Sequence, residues 1–325
     1  MWRGGPHHQV LRNGVIASYE SDVAAMKTRL TTRRDWVVRE DDATGPMALL
    51  GKHDDPVVVG GVGGSGTRLI AALLLECGYF IGEDLNAALD NRWYSLLFNR
   101  PGIQECPDDE VDRLLGILVQ RMVGDVRFER ADVALIEEIA RHDNPPHSAE
   151  WMQERAATLL AERSGPLPAG RWGWKEPNTH VVLPRLARAL PRMRYVFMSR
   201  NGLDMAYSVN SNQARRWGQS YLGRPFEPTP RYMLSFWCAS HRRVLAAAAV
   251  MPSRFLFIKL EELSGDPAAG IHTLFEFLGM PGQPSASLIG RAEAPESIGR
   301  FRAHGLDHFD PDDVAYVESL GFPVA

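Results

Sequence analysis

The residues able to do chemistry in this chain concentrate in two stretches. The first is "VVVGGVGGSGTRLIAALL", in which Gly61, Gly63, Gly64 and Gly66 crowd around Val62 and Ser65. Glycines this close let backbone N–H groups face an anion, and a helix that follows adds its positive end. The run therefore marks an anion site at a strand–helix junction without naming the anion. As the G-x-x-x-x-G-K-[ST] loop of nucleoside triphosphatases it fails, because Thr67 and Arg68 stand where the lysine and hydroxyl belong. No apolar strand ends in a magnesium-binding aspartate either; the second strong strand ends in Ser199-Arg200. As G-x-G-x-x-G it fits a dinucleotide better, with Glu83 and Asp84 about 20 positions on, where a ribose-binding acid belongs. That alternative is a Rossmann-type, dinucleotide-dependent oxidoreductase.

The second stretch, "RYVFMSRNGLDMAYSVN", weighs against the dinucleotide. It places Arg200 at a strand's carboxyl end and Ser208 in the helix expected next, on the rim that carries the glycine loop. Arg200 offers a planar fork suited to phosphate, and Ser208 a hydroxyl. A ligand with two separated phosphate-type groups would use both sites. "HGLDH" sets His304 and His308 four apart, but it lacks H-E-x-x-H and contains a glycine, so no metal is expected.

The elements that must position these groups alternate along the chain. "PVVVGG" is a buried parallel strand and "TRLIAALLLECG" a helix ended by Gly78. "RWGWKEP", "RYVFMS" and "RFLFIKLEEL" read as three further strands. "VVLPRLARALP", "RYMLSFWCASHRRVLAAAAVM" and "PAAGIHTLFEFLGMP" read as helices. Strand–helix alternation predicts α/β architecture, a parallel sheet with right-handed crossovers and helices on both faces. Residues 85–170 are helical in pattern and form an insertion after the first βα unit. Residues 1–54 are a polar, partly helical lead-in, leaving 55–325 as one α/β domain.

Composition narrows the functions. Of 325 residues 45% are hydrophobic and 23% charged, an ordinary globular balance, and the net charge of −4 gives no basic field for nucleic acid. Three distant cysteines lack metal-site spacing and fit a reducing compartment. No run of about 18 apolar residues suggests a membrane span, and the first residues lack an apolar leader core. The expectation is a cytoplasmic protein; its oligomeric state stays open.

Together, "VGGVGGSGTRLIAALL", "GWKEPNTH", "RYVFMSRNGLDMAYSVN" and "LFIKLEELSGDP…LFEFLG" resemble the sulfotransferases that use 3′-phosphoadenosine 5′-phosphosulfate, over roughly residues 55–302. The resemblance implies a P-loop-like three-layer fold and transfer of a sulfuryl group, by in-line displacement and without metal, to a hydroxyl or amine. It implies that Gly63, Gly64, Ser65, Gly66, Thr67 and Arg68 cradle the 5′-phosphosulfate and that Arg200 and Ser208 bind the 3′-phosphate. "SIGRFR" resembles the loop that closes over the nucleotide, which would bring in Arg300 and Arg302. Where many relatives carry a cation before S-G-T, this chain has Gly64. Lys175 in "WKEP" is the candidate replacement and Arg68 the reserve. For the base, the resemblance points to Glu83, with Asp84 close behind and Asn86 beside them; His180 is a further option. The acceptor class stays open among carbohydrate, lipid, peptide and small metabolite, to be chosen by residues 85–170 and "RRWGQSYLGRPFEP". A protein that binds the donor or its product without turnover is the other alternative.

Overall fold

The computed structural model describes residues 55–124, 127–163, 170–282, 284–292 and 294–325; the expected lead-in, residues 1–54, lies outside them. Strand β1 (Val57–Gly61) runs into helix α1 (Thr67–Glu76). Four helices follow: α2 (Arg92–Phe98), α3 (Asp108–Val123), α4 (Arg130–Arg141) and α5 (Ala149–Leu160). Strand β2 (Gly173–Lys175) then leads through a 3₁₀ turn (Pro177–Val182) to α6 (Leu183–Ala189). β3 (Arg194–Ser199) precedes α7 (Gly202–Ala206), α8 (Asn212–Leu222) and α9 (Pro230–Ala248). β4 (Phe255–Lys259) precedes α10 (Leu260–Gly265), α11 (Pro267–Leu278), α12 (Ala286–Gly290) and α13 (Pro311–Ser319).

The four strands are parallel in the order β2-β1-β3-β4. A parallel sheet is buried on both faces, so its strands read as unbroken apolar runs and their alternation appears only in the partners. Val58, Tyr195 and Phe197 join one core, with residues of α2, α3 and α9. Val57, Val59, Val196 and Met198 join the other, with residues of α1 and α11. These are the three layers expected. The neighbours β1 and β3 send the chain to opposite sides of the sheet, β1 on to β2 and β3 on to β4. That arrangement opens a crevice at the carboxyl ends of the strands, where α/β folds bind ligands.

Two local expectations change. The strand foreseen over "RFLFIKLEEL" stops at Lys259, and Leu260 begins a helix. Ser208 lies beyond α7, which ends at Ala206. There Asn210 N–H donates to Ser208 Oγ and Asn212 N–H to Asn210 Oδ1. Short polar side chains bonding to nearby backbone compete with helix continuation, and "SVNSN" has four of them.

Candidate functional site

The glycine loop joins β1 to α1 with two residues in the left-handed region, Gly64 (φ 93°) and Gly66 (φ 92°). Gly66 caps α1 without a side-chain hydrogen bond. The conformation at Gly64 accounts for the missing loop cation: an L side chain there is strained, and its Cβ would stand 3.2 Å from Met205 Cε. Among the described residues no acceptor takes the amides of Gly64, Gly66, Thr67 or Arg68, and Ser65 Oγ is buried with no partner. These are the unfilled donors of a helix start. The Gly63 amide is different, since it donates to Gln213 Oε1 at 2.8 Å. Gln213 also donates to the Gly61 carbonyl at 3.3 Å, so α8 pins the loop's shape. Arg68 is exposed on α1, with no described carboxylate paired to it.

The second candidate anion site lies where β3 ends. Arg200 is 5% exposed, and its guanidinium donates to the Ser297 carbonyl and lies 3.8 Å from Asp204. Burial, and next the neighbouring Arg300 guanidinium, push Arg200 below the usual arginine range. Arg300 donates to the Tyr207 carbonyl at 3.2 Å, and the Nε atoms of both arginines are buried without partners. Two guanidiniums held together with unfilled donors fit an anion between them. Ser208 follows Tyr207 directly and faces the glycine loop; a Cβ on Gly64 would lie 3.8 Å from its Oγ. Asp204 holds the segment in place by accepting from Gly299 N–H at 2.7 Å and Phe301 N–H at 3.2 Å. The sequence reading missed Asp204, although an acid four residues after Arg200 on the next helix was its signal.

Arg302 does not join this site. Its guanidinium points to the chain end, donating to the Ala325 carbonyl at 3.3 Å and lying over Phe301. His304 stacks on Tyr207 at 3.9 Å and His308 meets the Tyr207 hydroxyl at 2.9 Å. Among the described residues no cluster of three or more His, Cys, Asp or Glu is grouped to hold a metal.

Next to Gly63 a cavity of about 720 Å³ opens between the loop and the helices α2, α5 and α8. Glu176 lies in its wall at 3% exposure. Asn99 and Asn178 donate to its Oε1 at 2.8 and 2.9 Å, and Asn178 N–H to its Oε2. Burial first, and the Asp90 carboxylate second, push Glu176 up to about 7. A carboxyl poised there exchanges protons at neutral pH.

The carboxylates expected as base, Glu83 and Asp84, lie outside this cavity and are paired with arginines. Glu83 bridges Arg121 at 2.9 Å and Arg163 at 3.2 Å. Asp84 bridges Arg155 at 2.6 Å, accepts from Thr158 at 2.7 Å and lies 3.6 Å from Arg92. Their oxygens clamp α3 and α5 to the turn after α1, and neither residue lines the cavity. Asn86 does line it but is spent on the 86–90 turn. His180 is sealed beside Tyr221 and held down to about 4, chiefly by burial. Lys175, 2% exposed, gives its ammonium to Asp90 and to the Ala88 carbonyl at 3.0 Å. It is thus a neighbour of the base candidate rather than an open cation. Glu176 itself was legible only as the residue after that lysine; Asn178 is two residues on, in the turn that Glu176 caps, but Asn99 comes from 77 residues away.

Residues 56–284 match the profile of the Sulfotransferase family, and the chain belongs to that family of transferases. Solved structures similar to it include the sulfotransferase domain of the Synechococcus PCC 7002 olefin synthase. That domain is 14% identical, over 90% of this chain and 100% of that one, with a TM-score of 0.44. A sulfotransferase from Alicyclobacillus acidocaldarius is 16% identical over 82% and 95% of the two chains, TM-score 0.43. One from Mycobacterium avium is 19% identical over 87% and 80%, TM-score 0.37. No curated protein sequence matches the chain. No helix among the described residues is long and apolar enough to cross a membrane.

Proposed function

We propose that the protein moves a sulfuryl group from 3′-phosphoadenosine 5′-phosphosulfate to a hydroxyl or amine. One observation carries this reading: two sets of unfilled anion donors sit at one sheet edge, beside a cavity that holds a carboxyl titrating near neutrality. The donor supplies an activated sulfur whose bond to the 5′-phosphate oxygen is the one broken. The free amides of Gly64, Gly66, Thr67 and Arg68, with the Ser65 hydroxyl, suit the 5′-phosphosulfate. Gly63 contributes the turn rather than its amide. Arg200, Arg300 and Ser208 suit the 3′-phosphate. Arg68 is the loop's available cation, and Lys175 adds a second charge when its ammonium leaves Asp90.

Glu176 as carboxylate takes the proton from the acceptor as its oxygen or nitrogen bonds to sulfur. The sulfur–oxygen bond to phosphate breaks in the same displacement, and fixed donors meet the charge on the departing oxygen. The products are the sulfated acceptor, 3′-phosphoadenosine 5′-phosphate and a proton on Glu176. All three cysteines are free thiols, which supports a cytoplasmic setting in this reading. Calorimetry tests the donor site: 3′-phosphoadenosine 5′-phosphate is expected to bind at least about 10-fold more tightly than adenosine 5′-monophosphate, the return from one charge-assisted phosphate contact. Equal affinity for the two would remove the 3′-phosphate assignment.

A further inference from the structure

The acceptor cavity carries an unusual lining for a pocket of its size. Binding pockets of some 300–1,000 Å³ are mostly walled by apolar side chains. Here, among the described residues, no Leu, Ile, Val, Met or Phe contributes to the wall; its apolar surface comes from four prolines and one tryptophan. Six side-chain amides line it: Asn86, Asn99, Asn178, Asn210, Asn212 and Gln213. Several are already paired within the protein: Asn86 with the 86–90 turn, Asn178 with Glu176 and Trp217, and Gln213 with Gly63 and Gly61. Asn99 Oδ1 is the exception, and an apolar acceptor would leave it unpaired at a cost of about 1–3 kcal/mol.

Two features narrow the occupant. Asn99 is 5% exposed and gives its amide N–H to Glu176 at 2.8 Å, while its Oδ1 is buried with no partner. An unfilled acceptor beside the proton-accepting carboxyl suits a ligand with two neighbouring hydroxyls. One loses its proton to Glu176 and the other donates to Asn99 Oδ1. At the far wall Trp151 stacks on His147 with ring centroids 3.9 Å apart. Burial first and Arg216 second hold His147 down to about 4, so the pair is an uncharged aromatic plate at neutral pH. Such a plate accepts the C–H face of a pyranose ring by dispersion.

We infer that the acceptor is a saccharide carrying vicinal hydroxyls, bound with one sugar ring against the His147–Trp151 plate. This rests on the sulfotransfer reading above. The sugar hydroxyl forms its O–S bond as the donor's bond from sulfur to phosphate oxygen breaks, and its proton passes to Glu176.

The test incubates the protein and labelled donor with a panel of mono- to trisaccharides, p-nitrophenol, a primary aliphatic alcohol and a tyrosine peptide. A saccharide is expected to give the highest kcat/KM, and its analogue lacking the neighbouring hydroxyl a value at least about 10-fold lower, since a site built for a hydroxyl penalises its loss. Trp151→Ala should raise the saccharide KM at least 10-fold and Trp151→Phe much less, both binding 3′-phosphoadenosine 5′-phosphate as before. If that nucleotide binds and no saccharide exceeds the other classes, or if Trp151→Ala leaves the KM unchanged, the inference is overturned. Loss of nucleotide binding by the unaltered protein would instead bring down the donor reading.

Discussion

Arg121 and Arg155 are each 3% exposed and Arg200 is 5% exposed, yet equally buried arginines have opposite surroundings. Where the helices between α1 and β2 meet the sheet, Arg121, Arg155 and Arg163 are met by the carboxylates of Glu83 and Asp84. At the end of β3, Arg200 and Arg300 are held near each other, the closest carboxylate, Asp204, being largely given over to backbone N–H groups. Burying a charge is costly unless it is paired. The first cluster pairs its charges within the chain and so fixes structure. The second sets Arg200 beside Arg300, with its paired carboxylate, Asp204, 3.8 Å away, as the proposed 3′-phosphate site requires.

Glu176 gives the largest expected effect and bears on the acceptor side of that division. Glu176→Gln should lower kcat by about 10²–10⁴, the usual worth of a positioned base, while nucleotide affinity stays the same. In the parent protein kcat/KM should rise as pH climbs through about 7, because only the ionised carboxylate accepts a proton and burial holds it protonated below that point. The variant should lose this acid limb. An unaltered pH profile would take Glu176 out of the chemistry.

The structural cluster comes next. Asp84→Asn leaves buried Arg155 only the exposed Glu154 as partner and should cost about 3 kcal/mol in chemical unfolding, the lower bound for breaking a buried pair. Nucleotide affinity should hold. Loss of that affinity with stability intact would erase the contrast between the clusters. The smallest changes sharpen it at the donor end. Arg200→Ala should weaken 3′-phosphoadenosine 5′-phosphate by about 10–100-fold and adenosine 5′-monophosphate far less, whereas Arg302→Ala, on the exposed side, should change either by less than about 2-fold. Titration calorimetry on the two variants distinguishes them directly; equal losses would place both arginines in one role.

Legibility in the sequence followed chain locality. The glycine loop, the strand runs and the arginine after "VFMS" each declare themselves within a dozen residues. Glycine conformation, strand burial and a strand-end cation are local consequences of residue type, and the parallel sheet followed from alternation alone. Spacing identifies acids near the loop but not what pairs with them: Arg121, Arg155 and Arg163, which hold Glu83 and Asp84, lie 38 to 80 residues from those partners. Ser208 was carried too far into a helix because side-chain bonds to nearby backbone ended it first.

By itself, then, the order of residues determined where the proposed anion sites fall, since backbone geometry at glycines and strand ends is set by near neighbours. Only the tertiary structure decided which charges stay available. That depends on burial and pairing across the fold: Asn99 reaches Glu176 from 77 residues away and Asp90 takes Lys175, and no sequence spacing encodes either meeting.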